Sequence, residues 1–218
     1  MSRVICIDAA GSATATDTAR IGPNAVTRLA EALIGCGHGA LATPVFAAAG
    51  VADWLARPPS AMVAAQRAGR LHAALRDALP PAEAATVMAE AGRLTANYLL
   101  AARIPRPAQA VLRLLPPSFA ARALVPAIRA HAWTFAGAGR FVARAGRPTM
   151  FEIAGNPLCA LDRAGSPVCA WHAAVFERLF QALVSSEARA TEIACEACGD
   201  ASCRFLVAWP AAHAATRS

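Results

Sequence analysis

At 218 residues, 56% of them apolar, the chain is long enough to bury one sizeable core and too apolar to be disordered over most of its length. Its formal charge is +7 and all 21 basic residues are arginine, which points first to coding bias and second to a surface for anions; few aromatics and no dense basic run leave nucleic acid outside the expected partners. With no secretory leader pattern and no uncharged, proline-free run of bilayer length, a cytoplasmic protein is expected, where seven cysteines favour metal ligation or reactive thiols over a disulfide framework.

Taken in order, residues 1–20 lack clear periodicity apart from Val4 to Ile7 and are expected to form an extension. Apolar spacing predicts a helix over 21–35, carried by Val26, Leu29 and Leu33 and stopped by glycines. Trp54 and Leu55 fall in a short helical piece before Pro58-Pro59, and Ser60 is expected to cap a helix running to about Leu79. Pro80-Pro81 open an amphipathic run over 81–103 that contains Tyr98, the single tyrosine. Prolines then cut out two shorter helices, 108–115 and 118–131. Gly137 and Gly139 end the helical part, and strands are predicted over 141–144 and 149–153. A helix over 168–184, with Trp171, Val175, Leu179 and Leu183 on one face, precedes two last strands, 188–196 and 202–209. Helices first and a small antiparallel sheet later, with one helix between the strand pairs, is an α+β arrangement. The expected domain covers 21–209, with a loose tail over 210–218. Cys6 and Cys36 are read as buried, small apolar residues.

Four of the seven cysteines collect between residues 169 and 203 beside Glu192. Cys169, Cys195 and Cys203 can offer thiolates and Glu192 a carboxylate, a donor set that suits tetrahedral zinc. Glu192 and Cys195 are an odd number of residues apart and point to opposite faces of a regular strand, so their convergence requires a bulge. Cys198, at Cys-x-x-Cys spacing from Cys195, competes for the fourth position. An iron–sulfur cluster is a further reading and would draw its remaining ligand from Cys159 or Cys169. Four protein ligands leave no open position, so the metal is expected to be structural.

The runs SPVCAW and TEIACEACGDASCRF resemble the 4-vinyl reductase (V4R) domain family, found also in phenol-sensing bacterial activators and related in fold to a TRAPP vesicle-tethering subunit. That family's zinc pattern, a cysteine before the long helix and then E-x-x-C-x7-C, matches Cys169, Glu192, Cys195 and Cys203, which favours Glu192 over Cys198. Upstream, IGPNAVTRLAEAL, RLTANYLLAARIP, AIRAHAWTFAGAGRF and EIAGNPLC are similar to the BchJ family of bacteriochlorophyll biosynthesis. The resemblance implies a ligand-binding fold and a role in binding and delivering a tetrapyrrole intermediate of the Mg-porphyrin or chlorophyllide type. It carries two alternatives: reduction of the 8-vinyl (older 4-vinyl) group of a divinyl chlorophyll precursor, and ligand sensing that regulates a partner. Other pigment-biosynthesis enzymes, a homodimer and a place at the periphery of the photosynthetic membrane are further implications.

A reductase needs a hydride or electron source, and no G-x-G-x-x-G follows a strand here; GAGRFV lacks the third glycine. A tetrapyrrole site needs an apolar slot, a cation for the propionates and an axial ligand. His131 is the expected ligand, Trp133 and Phe135 the expected surfaces for the macrocycle, and Arg140 the carboxylate partner. Tyr98 and Trp171 are candidate walls, and His172 is the alternative axial ligand.

Overall fold

Prolines and glycines punctuate the described chain, residues 19–210 of a computed structural model, into nine helices and six strands. The expected extension, including Cys6 and Val4 to Ile7, and the tail beyond 210 lie outside the described residues. Strand β1 (Arg20–Ile21) leads into α1 (Asn24–Gly35), which buries Val26, Leu29 and Leu33 at helical spacing. Helices α2 (Ala42–Ala48) and α3 (Asp53–Ala56) follow, and then β2 (Val63–Ala64). The helix expected from Ser60 begins later, as α4 (Ala65–Ala78), because Val63 and Ala64 stay extended to pair with Ile21 and Arg20.

Helices α5 (Pro81–Ala102), α6 (Arg106–Leu114) and α7 (Pro117–Ala130) each start behind a proline, where the missing N–H costs nothing. After the one-turn α8 (Trp133–Ala136), Gly137 takes a left-handed φ of 59° and turns the chain into the sheet. Strands β3 (Arg140–Arg144) and β4 (Thr149–Ala154) precede α9 (Ala170–Leu183), and β5 (Arg189–Ala194) and β6 (Cys203–Ala208) close the fold.

The sheet order is β3-β4-β6-β5, antiparallel throughout. Alternation turns Thr149, Phe151 and Ile153 of β4 and Cys203, Phe205 and Val207 of β6 inward onto α9, whose Val175, Phe176, Leu179 and Phe180 are buried. Phe151 and Phe176 stack with centroids 4.3 Å apart. Helix α5 lies on the other side of α9, and α1 packs on α5. The α5–α9 crossing is close because Gly92 has no side chain: a Cβ there would stand 2.3 Å from the Trp171 carbonyl oxygen. One contiguous core runs from Ile21 to Trp209. Among the described residues, no helix is long and apolar enough to cross a membrane.

Candidate metal centre

Four elements deliver one thiol each to a single buried point. Cys159 sits in the loop after β4, Cys169 caps the N-terminus of α9, Cys195 follows β5, and Cys203 opens β6. Their Sγ atoms all lie within 4.8 Å of one another. Cys159 and Cys203 are 3.5 Å apart, Cys169 and Cys203 3.6 Å, and Cys169 and Cys195 3.8 Å. A tetrahedral ion with metal–sulfur bonds of about 2.3 Å spaces its ligands about 3.8 Å apart. A disulfide requires about 2.05 Å, and a four-iron cluster, with iron and sulfide between its ligands, spreads the thiolates well beyond these contacts. The donor set therefore fits one small tetrahedral cation.

Without an ion, the four thiols share protons among themselves. Hydrogen bonds that the Cys169 thiol donates to its neighbours, ahead of burial, push it well above its ordinary range, while bonds that Cys195 accepts from Cys159, Cys169 and Cys203 pull it down. Asn156, fully buried, donates through Nδ2 to Cys169 Sγ at 3.3 Å and Cys203 Sγ at 3.4 Å. Its Oδ1 accepts from Leu158 N, and its own backbone N–H donates to Glu196 Oε2 at 2.7 Å. Glu196 Oε1 accepts from Gly155 N at 2.6 Å, and the Glu196 N–H points at Cys203 Sγ, 3.5 Å away. This is the outer shell that orients thiolate ligands. Arg76 anchors the same loop to α4 by pairing with Asp162 at 2.6 Å and donating to Leu158 O.

Of the expected ligands, the structure brings Cys169, Cys195 and Cys203 together. Glu192 stands beside them: its Oε2 accepts the Cys169 N–H at 2.8 Å, its Oε1 is buried without a partner, and Cys159 is the fourth member of the cluster. The required bulge is present, as a register shift between Glu192 and Ala194 that leaves Ile193 exposed. Burial first, and the Cys195 charge second, push the Glu192 carboxyl up to about 8. Cys198 is exposed and outside the cluster, and Cys36 is half-buried instead of buried. Composition alone did not single out Asn156 or Glu196; both flank cysteine-bearing runs, and only the fold shows that they hold them.

The expected ligand-site residues divide into two groups. His131 is exposed, with Nδ1 on Ala127 O at 2.9 Å, at the C-terminal end of α7. Trp133 is 57% exposed, and Arg140 pairs with Glu152 at 3.2 Å. Tyr98 is half-buried between Arg28 and Arg103, whose guanidinium carbons lie 5.1 and 5.8 Å from its ring centroid. In contrast, Phe135, Trp171 and His172 meet in one aromatic layer with Phe141, Phe151, Phe176 and Phe205. Trp171 Nε1 and both His172 ring nitrogens are buried without hydrogen-bond partners. The backbone of Phe135 approaches His172 outside hydrogen-bond geometry, and burial lowers this imidazole to about 3, so its ring is neutral. Two surface grooves, of about 560 and 380 Å³, are lined by other residues.

A family model described as the V4R domain matches residues 149–208, which hold β4, α9, β5, β6 and the four clustered cysteines. The chain is 46% identical over 186 residues to the bacteriochlorophyll synthase 23 kDa chain of Cereibacter sphaeroides, an alignment covering 85% of this chain and 89% of that one. It is 42% identical over 192 residues to the protein of the same name from Rhodobacter capsulatus, covering 88% of each. With such identity across most of both chains, this protein belongs to the family of bacteriochlorophyll synthase 23 kDa chains, the BchJ type, and carries the V4R domain in its last third.

Proposed function

We propose that this chain serves bacteriochlorophyll biosynthesis by holding a tetrapyrrole intermediate, of the Mg-porphyrin or chlorophyllide type, and delivering it to the enzymes that build the pigment. The working unit is one ligand-binding domain over 21–209, placed beside the membrane at its periphery. A structural zinc in the four-thiol centre holds the β5–β6 hairpin and the Cys159 loop onto α9; its filled shell supplies rigidity and no open coordination position.

The observation that carries the reading is His172. A buried neutral imidazole with no partner for either nitrogen is costly, and this one lies in a close-packed aromatic layer that would have to part to admit a macrocycle against its rings. A neutral imidazole nitrogen is an axial ligand for magnesium. The half-buried Phe135 and Phe141 carry the layer toward the surface at α8 and β3, where exposed Arg140 would exchange its Glu152 partner for a propionate. His172 thus takes the axial role in preference to His131.

Titration of the protein into a magnesium porphyrin tests this. The expected result is a shifted absorption band and quenched emission, with the shift lost in His172→Phe, which keeps the aromatic packing and removes the nitrogens. No spectral change across a wide titration overturns the reading. Adding a reductant and a divinyl substrate to the same mixture separates carriage from catalysis, since product formed without another protein would assign the vinyl reductase. Ligand-dependent capture of a regulated partner would assign the sensor.

A further inference from the structure

Between Glu90 and Glu152 the chain contains nine arginines and no acidic residue, while the remaining twelve arginines are set against all fourteen acids. The net positive charge of the protein is therefore concentrated in the segment that forms the end of α5, α6, α7, α8 and β3. Arg103, Arg106, Arg122 and Arg129 are exposed there, and no carboxylate among the described residues pairs with them.

Helix α6 is turned inside out relative to the usual arrangement. Its one buried residue is polar: Gln109 donates through Nε2 to Leu100 O at 2.6 Å and Ile104 O at 2.8 Å, closing the C-terminal end of α5. On the outward side stand Val111 and Leu114, the latter 86% exposed, and the chain continues through exposed Leu115 to Phe119, 58% exposed in the first turn of α7. Along α7 the outward positions recur at helical spacing as Phe119, Arg122, Ala123, Pro126, Arg129 and Ala130. These large apolar side chains are not spread over the surface: among the described residues, four of the eight large exposed hydrophobics fall within nine residues, a stretch flanked in sequence by Arg106 and Arg122.

We propose that this face docks on an anionic lipid bilayer. Val111, Leu114, Leu115 and Phe119 enter the boundary between headgroups and acyl chains, while Arg103, Arg106 and Arg122 pair with lipid phosphates. Charge decides against a second copy as the occupant, since an isologous contact through this face would oppose two sets of unpaired arginines. Convex, fully projecting side chains such as Leu114 suit a fluid acyl layer better than the flat, close-packed core of a protein interface. The proposal specifies the peripheral placement given above and does not depend on pigment binding.

Sedimentation of the full chain with vesicles tests it, using equimolar phosphatidylcholine and phosphatidylglycerol against phosphatidylcholine alone. Binding is expected to the anionic vesicles, with a steep fall as salt rises. Leu114→Ser combined with Phe119→Ser should weaken binding about tenfold or more, and Arg106→Gln with Arg122→Gln should erase the preference for anionic lipid. Both pairs alter exposed side chains, so melting temperature and the lipid-free porphyrin titration should stay unchanged. A failed porphyrin titration alongside vesicle binding removes the carrier reading and leaves the docking face. Absence of vesicle binding, or unchanged binding by the Leu114 and Phe119 variant, overturns the proposal. So does light scattering in which that variant converts a dimer to a monomer, which would make the face a contact between copies.

Discussion

Asn156 illustrates how much of the metal centre rests on a residue that is not a ligand. Its amide contacts two cysteine sulfurs while its backbone is tied to Glu196, so one side chain couples the loop after β4 to the start of β6. Asn156→Leu should lower zinc affinity by about tenfold or more, read by competition with a chromogenic chelator. For the fourth ligand position, Cys159→Ser should release zinc more readily than Glu192→Gln; the reverse order would put the carboxylate in the shell. His72 makes a prediction of a different kind. Its Nε2 bonds Ala25 O at 2.8 Å, and burial, with the Arg76 charge second and His172 also facing it, lowers its pKa to about 3 from an ordinary 6.5. Between those values the unfolded chain binds a proton that the folded chain refuses, so this contribution is present above pH 6.5 and is lost as pH falls toward 3. Urea midpoints measured from pH 7 to 4 should fall, and should fall less in His72→Gln, which keeps a donor for Ala25 O.

At the scale of elements, the α5–α9 crossing depends on the missing side chain of Gly92. In an isolated helix Gly→Ala gains about 1 kcal/mol. Here the new Cβ would meet the Trp171 carbonyl oxygen at 2.3 Å and the Ala174 Cβ at 2.9 Å, and neither can yield without parting the helices. Gly92→Ala should therefore destabilise by about 1–3 kcal/mol, seen as a lower melting temperature. The bulge in β5 has a similar local cause with a wider effect. Without it Glu192 and Cys195 would point to opposite faces; with it, the residues after Glu192 shift register and Cys195 is buried on the side where Glu192 reaches the backbone of Cys169.

Across the whole molecule, the four-thiol cluster brings together separate segments of the chain, from Cys159 to Cys203, at the foot of α9, the helix on which both the sheet and α5 rest, and a metal held there would tie them. Its loss should be felt well beyond the hairpin. Chelation of zinc, or Cys195→Ser or Cys203→Ser, should lower the melting temperature and loosen the packing around Trp171, measured by near-ultraviolet circular dichroism. Unchanged melting in both variants, with no zinc in the purified protein, would remove the structural metal. The proposed docking face and the aromatic layer lie on different elements, α6–α7 and α9 with α8 and the sheet, so the proposed lipid and pigment binding should be separable by mutation.

The order of elements was legible in the sequence because its signals act locally. Pro81 and Pro117 begin helices by constraining their own φ, Gly137 ends one by accepting a positive φ, and the alternation in 149–153 and 203–207 sets which residues turn inward. The cysteine-rich stretch also pointed to a cluster of thiols that could hold a metal, and the parity of Glu192 and Cys195 required the bulge that is found. Only the tertiary structure decided the rest. Short β2 formed where a helix was expected because Ile21 came to pair with Val63, forty-two residues away. The α6 stripe says that one side is apolar, but its direction depends on the carbonyls of Leu100 and Ile104, which turned Gln109 inward and Leu114 out. Cys159 joined the other thiols, and Asn156 came to hold two of them, because Glu196 draws the loop after β4 onto the hairpin while Arg76 holds the same loop to α4. No periodicity encodes a contact between residues that meet only when a loop folds back, so the fourth corner of the site and the surroundings of His172 belong to the packed molecule and not to any stretch of its chain.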